Sequence, residues 1–459
     1  MQHVCLIRDY IETRIFPREC GILHALRTNS CDAKRFNGRF SEPKWIEAEW
    51  HLYCLYLKYE DQLENMTAFA KETESRTESH LIGEFSGNAE GPTLVAVGSI
   101  HGNEPSGQLA LERVARRIET LEKMLRGRVY LLAGNVRASA HGVRFLDTDL
   151  NRHWTRENIR RNTRVSADAS TEDTEQCELL TKFREILKSA RDEVYVLDLH
   201  STSAAGVPFA TVGDTLRNRH FAQKLPVTIL LGIEEQLEGT MLEFLNNEGA
   251  VTLGFEAGQH ASEEAIDNHE ALVMHALIST GILAAEDFPE LPSLRRRLES
   301  ATGKAQLFEV RHREPVSSTD GFQMDPGYRN FDHVKRGQRL AVNKHGTISS
   351  PEAGSMLMPL YQKLGDDGFF IVRTVSVFWL RVSEIVRRLR LADFTHWLPG
   401  VLRHPKHHEM LQIDTRIARF FPLQIFHLLG FRRLRWQQNF LIVSRRRYDT
   451  ISPFGSRRN

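Results

Sequence analysis

The 459-residue chain has no apolar run of about 18 residues or more, the length a bilayer crossing demands, so a membrane-spanning helix is excluded. Cysteine is scarce. Cys5, Cys20, Cys31, Cys54 and Cys177 are the full set, an odd number with no C-x-x-C pair. A disulfide framework and a cysteine-held zinc are both disfavoured. A signal-peptide pattern is missing from the first residues, where Arg8, Asp9, Glu12 and Arg14 interrupt every apolar stretch. The expected location is a reducing cytoplasm. Internal repeats and low-complexity tracts are absent too. Net charge is nearly nil, with 60 Lys+Arg against 59 Asp+Glu, but this hides two unequal parts. Ser376–Asn459 carries 16 basic and 5 acidic residues, and the remainder carries 44 and 54. With 41% apolar and 26% charged residues the composition is that of a globular protein, not a disordered one.

Four regions are expected. Residues 1–75 form an N-terminal extension, with one helical stripe over Trp45 to Leu63 made by Ile46, Trp50, Tyr53 and Leu57. Residues 76–291 alternate apolar strands with amphipathic helices. Leu94–Ile100 is an apolar run, followed by a polar turn and then Leu111, Val114, Ile118, Leu121 and Leu125 at helical spacing. Arg128–Ala133, Val194–Leu199 and Val251–Phe255 read as further strands, and Glu178–Leu187 and Glu263–Ile278 as helices. That alternation predicts an α/β fold with a mixed, mostly parallel sheet and flanking helices. Residues 292–375 lose the alternation and read as a small β domain, with strands near Ala305–Val310, Arg339–Asn343 and Phe369–Val377. Residues 376–459 are a basic, partly helical extension. There Trp379, Leu380, Val382, Ile385, Val386 and Leu389 are interleaved with Arg381, Arg387, Arg388 and Arg390.

Ligands of an open parallel sheet bind beyond the carboxyl ends of its strands. The first strand runs into His101 and Glu104, another into His200, and another into Glu256. Two histidines and one glutamate make a catalytic zinc set that leaves a position for water. Such a metal acidifies the water and polarises a carbonyl, and Glu256 could carry the proton to a leaving amine. H-x-x-E alone is a weak signal, and His260 with Glu263 repeats it fortuitously. The convergence of three strand ends carries the argument. A second constellation follows Asn135 and Arg137, namely Arg144, Asp147, Asp149, Asn151 and Arg152. Guanidinium groups beside a metal site suit a carboxylated substrate, which they grip in a two-pronged fork.

The ordered set His101-Gly-Asn-Glu104, Asn135, Arg144, Asp149-Leu-Asn151-Arg152, Asp198-Leu-His200 and Glu256 resembles the succinylglutamate desuccinylase/aspartoacylase family, over roughly Gly83 to Val375. The resemblance implies a zinc carboxypeptidase-like fold and hydrolysis of the amide of an N-acyl amino acid, a carbon–nitrogen bond other than a peptide bond. It implies one zinc per chain on His101, Glu104 and His200, with Glu256 as general base. It also implies that Arg144 polarises the scissile carbonyl and that Asn151 and Arg152 hold a substrate carboxylate. The family's best-known members bring a tyrosine from the β domain to the site. The corresponding stretch, Leu364–Phe369, has none, and Tyr361 is the nearest.

A carboxypeptidase-type peptidase on the same fold, and a non-catalytic binding or adaptor protein, are the competing readings. The expected partner is a small carboxylated amide, with no specific nucleic acid. The basic extension is expected to pack on the acidic body, with weak contact to an anionic surface as its alternative.

Overall fold

The computed structural model describes residues 79–455 apart from 164–168, 204–205, 261, 362–365, 405–409, 415, 418–422 and 438–439. These lie in one compact unit, Met66–Asn459. The helix expected over Trp45 to Leu63, and all the cysteines but Cys177, lie outside the described residues. Cys177 is buried and free. Among the described residues no helix is long and apolar enough to cross a membrane.

The sheet is built around an apolar strand, β2 (Ala89–Gly98), which follows the edge strand β1 (Leu81–Ser86). Its side chains alternate between two cores. Leu94 and Ala96 pack with Leu111, Val114 and Ile118, while Val95 and Val97 pack with Leu179 and Phe183. Helices cover both faces, so from Leu94 to Val97 the strand is apolar at every position rather than every second one. β3 (Arg126–Ala133), β4 (Val194–Thr202), β5 (Phe209–Val212), β6 (Thr228–Leu231) and β7 (Val251–Gln259) complete the α/β part. β3, β2, β4 and β7 run parallel in that order, and β5 joins β7 antiparallel.

The 292–375 stretch begins with a helix, Leu291–Thr302, and then turns to strands. These are β8 (Leu307–Pro315), β9 (Gln323–Met324), β10 (His333–Val334), β11 (Arg339–Asn343), β12 (Gly346–Ser349), β13 (Gly354–Leu357) and β14 (Asp367–Thr374). Four of them prolong the main sheet, whose order is β1-β3-β2-β4-β7-β5-β6-β8-β14-β13-β10. β12, β11 and β9 form a small sheet of their own.

The basic extension opens with the helix Val377–Arg388, as the periodicity predicts. It then adds a four-stranded antiparallel sheet, with order β15 (Val401–Arg403), β16 (Met410–Asp414), β18 (Phe440–Arg445), β17 (Phe431–Gln437). Val401, Leu411, Ile413, Phe426, Phe431, Leu441 and Val443 make its separate core. The extension packs on the acidic body. Arg387 pairs with Asp214 at 2.7 Å and Asp449 at 3.2 Å, and Arg446 pairs with Glu234 at 2.7 Å and Glu235 at 2.9 Å.

Candidate active site

His101 and Glu104 stand on the turn between β2 and the helix Ser106–Leu121. That turn is tight enough to dictate its glycines. A Cβ on Gly102 would lie 2.3 Å from the Ala138 carbonyl carbon, and one on Gly107 would lie 2.8 Å from the Leu199 carbonyl oxygen. Ser99 adopts a left-handed φ of 56°, and its hydroxyl donates to the Glu104 carbonyl at 3.0 Å. A non-glycine residue held there stores backbone strain beside the site. On the neighbouring strands, register sets His200 directly opposite Glu256.

The three expected ligands converge. Glu104 is buried between the two rings, with Oε1 2.8 Å from Nδ1 of His101 and Oε2 3.0 Å from Nδ1 of His200. The ligand atoms of this trio all lie within 4.8 Å of one another. The far nitrogen of each ring meets a carboxylate. His101 Nε2 is 3.2 Å from Asp149, and His200 Nε2 is 2.9 Å from Asp198. Carboxylates behind histidines fix ring orientation and raise ligand basicity, the usual surroundings of a metal-holding imidazole. Burial opposes ionisation of Glu104, but His101 and His200 outweigh it and hold its pKa well below the ordinary value. Burial likewise opposes a charged His200, yet Asp198 and Glu104 raise its pKa well above the usual range.

Glu256 faces the same cavity, and its buried Oε2 has no hydrogen-bond partner. Burial pushes its carboxyl up to about 8, against the pull of His200 and with Glu104 and Asp198 adding to the rise.

Arg144 reaches the trio. Its Nη2 is 2.9 Å from His101 Nε2, its Nη1 is 3.5 Å from Glu104, and it donates twice to Asp149. Asn151 is buried behind His200. Its Oδ1 accepts from the Met241 amide at 3.0 Å, and its Nδ2 lies 3.2 Å from His200 and 3.4 Å from Asp198. Arg152 lines the cavity, and the nearest carboxylate is that of Asp367 on β14, 3.7 Å away. The cavity measures about 990 Å³ and is bounded further by Phe322 and Leu360 of the β-rich stretch and by Arg432 and Arg447 of the extension. No tyrosine lines it among the described residues. Tyr361 is exposed, and its hydroxyl is tied to the backbone of Asp325 and Tyr328.

Three residues with a part in this site do not stand out among the candidate ligands. Asp198 and Asp149 orient the histidines. A charged residue inside the apolar run Val194–Leu199 is the signal that could have found Asp198. Glu172 is fully buried and accepts from the backbone amides of Leu146, Asp147 and Thr148 and from the Asn135 side chain. It fixes the loop that carries Arg144 and Arg152. Near the start of the helix Thr171–Ser189 it passes for an ordinary acidic first-turn residue.

Two histidines and a glutamate converge at the strand ends of an α/β sheet, the kind of set that can hold a metal ion. Residues 90–280 match the family model "Succinylglutamate desuccinylase/Aspartoacylase catalytic domain", and that stretch is similar to this family. Among solved structures, a succinylglutamate desuccinylase/aspartoacylase from Rhodobacter sphaeroides is 18% identical, covering 64% of this chain and 88% of its own, with a TM-score of 0.49. A succinylglutamate desuccinylase from Vibrio parahaemolyticus is 15% identical, covering 67% and 95%, with a TM-score of 0.46. A product-bound ectoine utilization protein from Ruegeria pomeroyi is 19% identical, covering 63% and 87%, also at 0.46. No curated protein sequence matches the chain.

Proposed function

We propose that the chain is a cytoplasmic zinc-dependent amidohydrolase that cleaves the amide of an N-acyl amino acid or a related carboxylated amide. One observation carries the reading. The Glu104 carboxylate is clasped by His101 and His200 at one end of a cavity into which Glu256 presents an unpartnered carboxylate oxygen. The residues fit the metal, since the ligand atoms of His101, Glu104 and His200 lie within 4.8 Å of one another and Asp149 and Asp198 back the two rings. Zinc on His101, Glu104 and His200 would supply Lewis-acid polarisation of the acyl carbonyl and would acidify a water.

The chain's own groups supply the rest. Glu256 takes a proton from the attacking water and returns it to the amine nitrogen as the carbon–nitrogen bond breaks. Its burial suits both halves of that task, because a carboxyl with a raised pKa accepts and gives protons near neutrality. Arg144 presents its guanidinium to the oxygen on which negative charge develops. Arg152, which pairs with Asp367 at 3.7 Å and lines the cavity, receives a substrate carboxylate. Asn151 holds His200 in place and lines the floor beside Arg152.

The test is a screen of N-acetyl and N-succinyl amino acids, their carboxamides and C-terminal peptides on the purified full chain. Hydrolysis of an N-acyl amino acid in preference to its carboxamide is the expected result. Preference for C-terminal peptides would favour a peptidase on this fold, and no hydrolysis of any of them would count against an enzyme of this class.

A further inference from the structure

The helix Val377–Arg388 is packed the wrong way round for a helix that only covers a soluble core. Its two buried residues are the polar Ser383 and Arg387. Ser383 donates to the Leu428 carbonyl at 2.9 Å, and Arg387 binds Asp214, Asp449 and the carbonyls of His427 and Leu428. The opposite side carries Phe378, Ile385 and Leu389, spaced i, i+7 and i+11, which is one stripe of an α-helix. They are 62%, 57% and 63% exposed. Arg381 and Arg388 lie beside this stripe at helical spacing and are exposed too.

The next turn repeats the arrangement. Leu391–Trp397 is a 3₁₀ helix, in which residues three apart share a face. Leu391, Phe394 and Trp397 are three apart, and all are exposed, Trp397 by 73%. Arg390 and Arg403 flank them. Among the described residues, nine of seventeen exposed large apolar side chains fall between Val377 and Leu402. An apolar concentration of this kind marks a surface with a partner.

We propose that this face docks on an anionic lipid surface. Charge selects the partner. Four exposed arginines, Arg381, Arg388, Arg390 and Arg403, surround the apolar side chains, against Glu384 and Asp393. Arg388–Glu384 at 2.6 Å and Arg390–Asp393 at 3.2 Å are exposed ion pairs, which contribute little and exchange readily for phosphate. Shape agrees with charge. The apolar groups protrude from the two helices, Phe378 against Trp379 and Phe394 against Trp397, so they can enter the acyl boundary while the arginines stay at headgroup level. Tryptophan at such a boundary is favoured for the same reason. The buried Arg387 contacts hold the helix to the catalytic body, so docking would bring the hydrolase to the surface as a whole.

The test uses the full chain and flotation with two vesicle types, phosphatidylcholine alone and phosphatidylcholine mixed with phosphatidylserine. The expected result is flotation with the mixed vesicles, weakened by salt, and little with the neutral ones. The double variant Phe378→Ser/Trp397→Ser should bind at least about tenfold more weakly. Its thermal transition should not move, since both side chains are exposed. Arg381→Glu should weaken binding on anionic vesicles and leave the neutral background unchanged. Failure to float, or equal flotation by wild type and the double variant, would overturn the proposal. So would a concentration-dependent dimer that the double variant abolishes, because the occupant would then be a second copy of the chain.

Discussion

Around Glu104 the chain gathers four carboxylates against one guanidinium, that of Arg144, and two imidazoles. Around Asp214 it gathers four others, Asp214, Glu234, Glu235 and Asp449, and meets them with Arg219, Arg387, Arg446 and His427. Both clusters are buried, and the partners of their carboxylates separate their uses. Acids met mainly by guanidinium groups, which cannot ligate a metal, act as a lock, here between the catalytic body and the C-terminal extension. A carboxylate met by two imidazole nitrogens beside a cavity is arranged to receive a metal and a substrate. Burial of charge alone does not mark a site; the imidazole partners do.

Breaking the lock should give the largest effect. Arg387→Ala leaves Asp214 and Asp449 without a partner they share, and should cost about 3–5 kcal/mol in urea unfolding of the whole chain. A loss below about 1 kcal/mol, the scale of a surface pair, would mean that the extension is held by its apolar contacts instead. On the other side of the comparison, Glu256→Gln keeps the shape of the site and removes its proton carrier. Turnover should fall by roughly 10²-fold or more while the metal content stays the same. Near-normal turnover would assign Glu256 a structural part.

The substrate end of the cavity should respond less. Arg152→Ala should weaken kcat/KM for an N-acyl amino acid by about 1.5–3 kcal/mol, the worth of a hydrogen bond to a charged group, with little change for the carboxamide. Equal losses on both would remove the carboxylate from the account. The smallest effect concerns acid. Burial opposes the ionised form of Asp214, but Arg219 and Arg387 overcome it and hold the carboxyl below its ordinary value of 3.8. The stability this group contributes is therefore present above the unfolded value and is lost as pH falls through the acid range. Arg387→Ala should make the acid-side decline in stability shallower, and an unchanged slope would place the acid sensitivity elsewhere.

The catalytic half of the fold was legible because its strands are apolar throughout and end abruptly in polar residues. Leu94–Val97 stops before His101, Val194–Leu197 before Asp198 and His200, and Val251–Phe255 before Glu256. β5 and β6 were not, being only four residues each. The sheet of the extension was hidden by its charge. In Phe431-Arg-Arg-Leu-Arg-Trp the arginines mask a strand that pairs with the apolar Leu441–Val443. The helix Val377–Arg388 was visible as amphipathic, but periodicity cannot say which side meets the body. That is decided by Asp214, more than 160 residues away in sequence. Glu172 was illegible for a similar reason. Its partners, the amides of Leu146 to Thr148, become neighbours only when the loop is folded.

The central claim is that the Glu104 cluster holds a metal through His101, Glu104 and His200. Metal analysis of the purified full chain and of its His101→Ala and His200→Ala variants tests it most directly. The wild type should carry about one zinc per chain, three protein ligands being the usual catalytic set, and each variant should lose it. Full zinc retained by both variants would contradict the assignment.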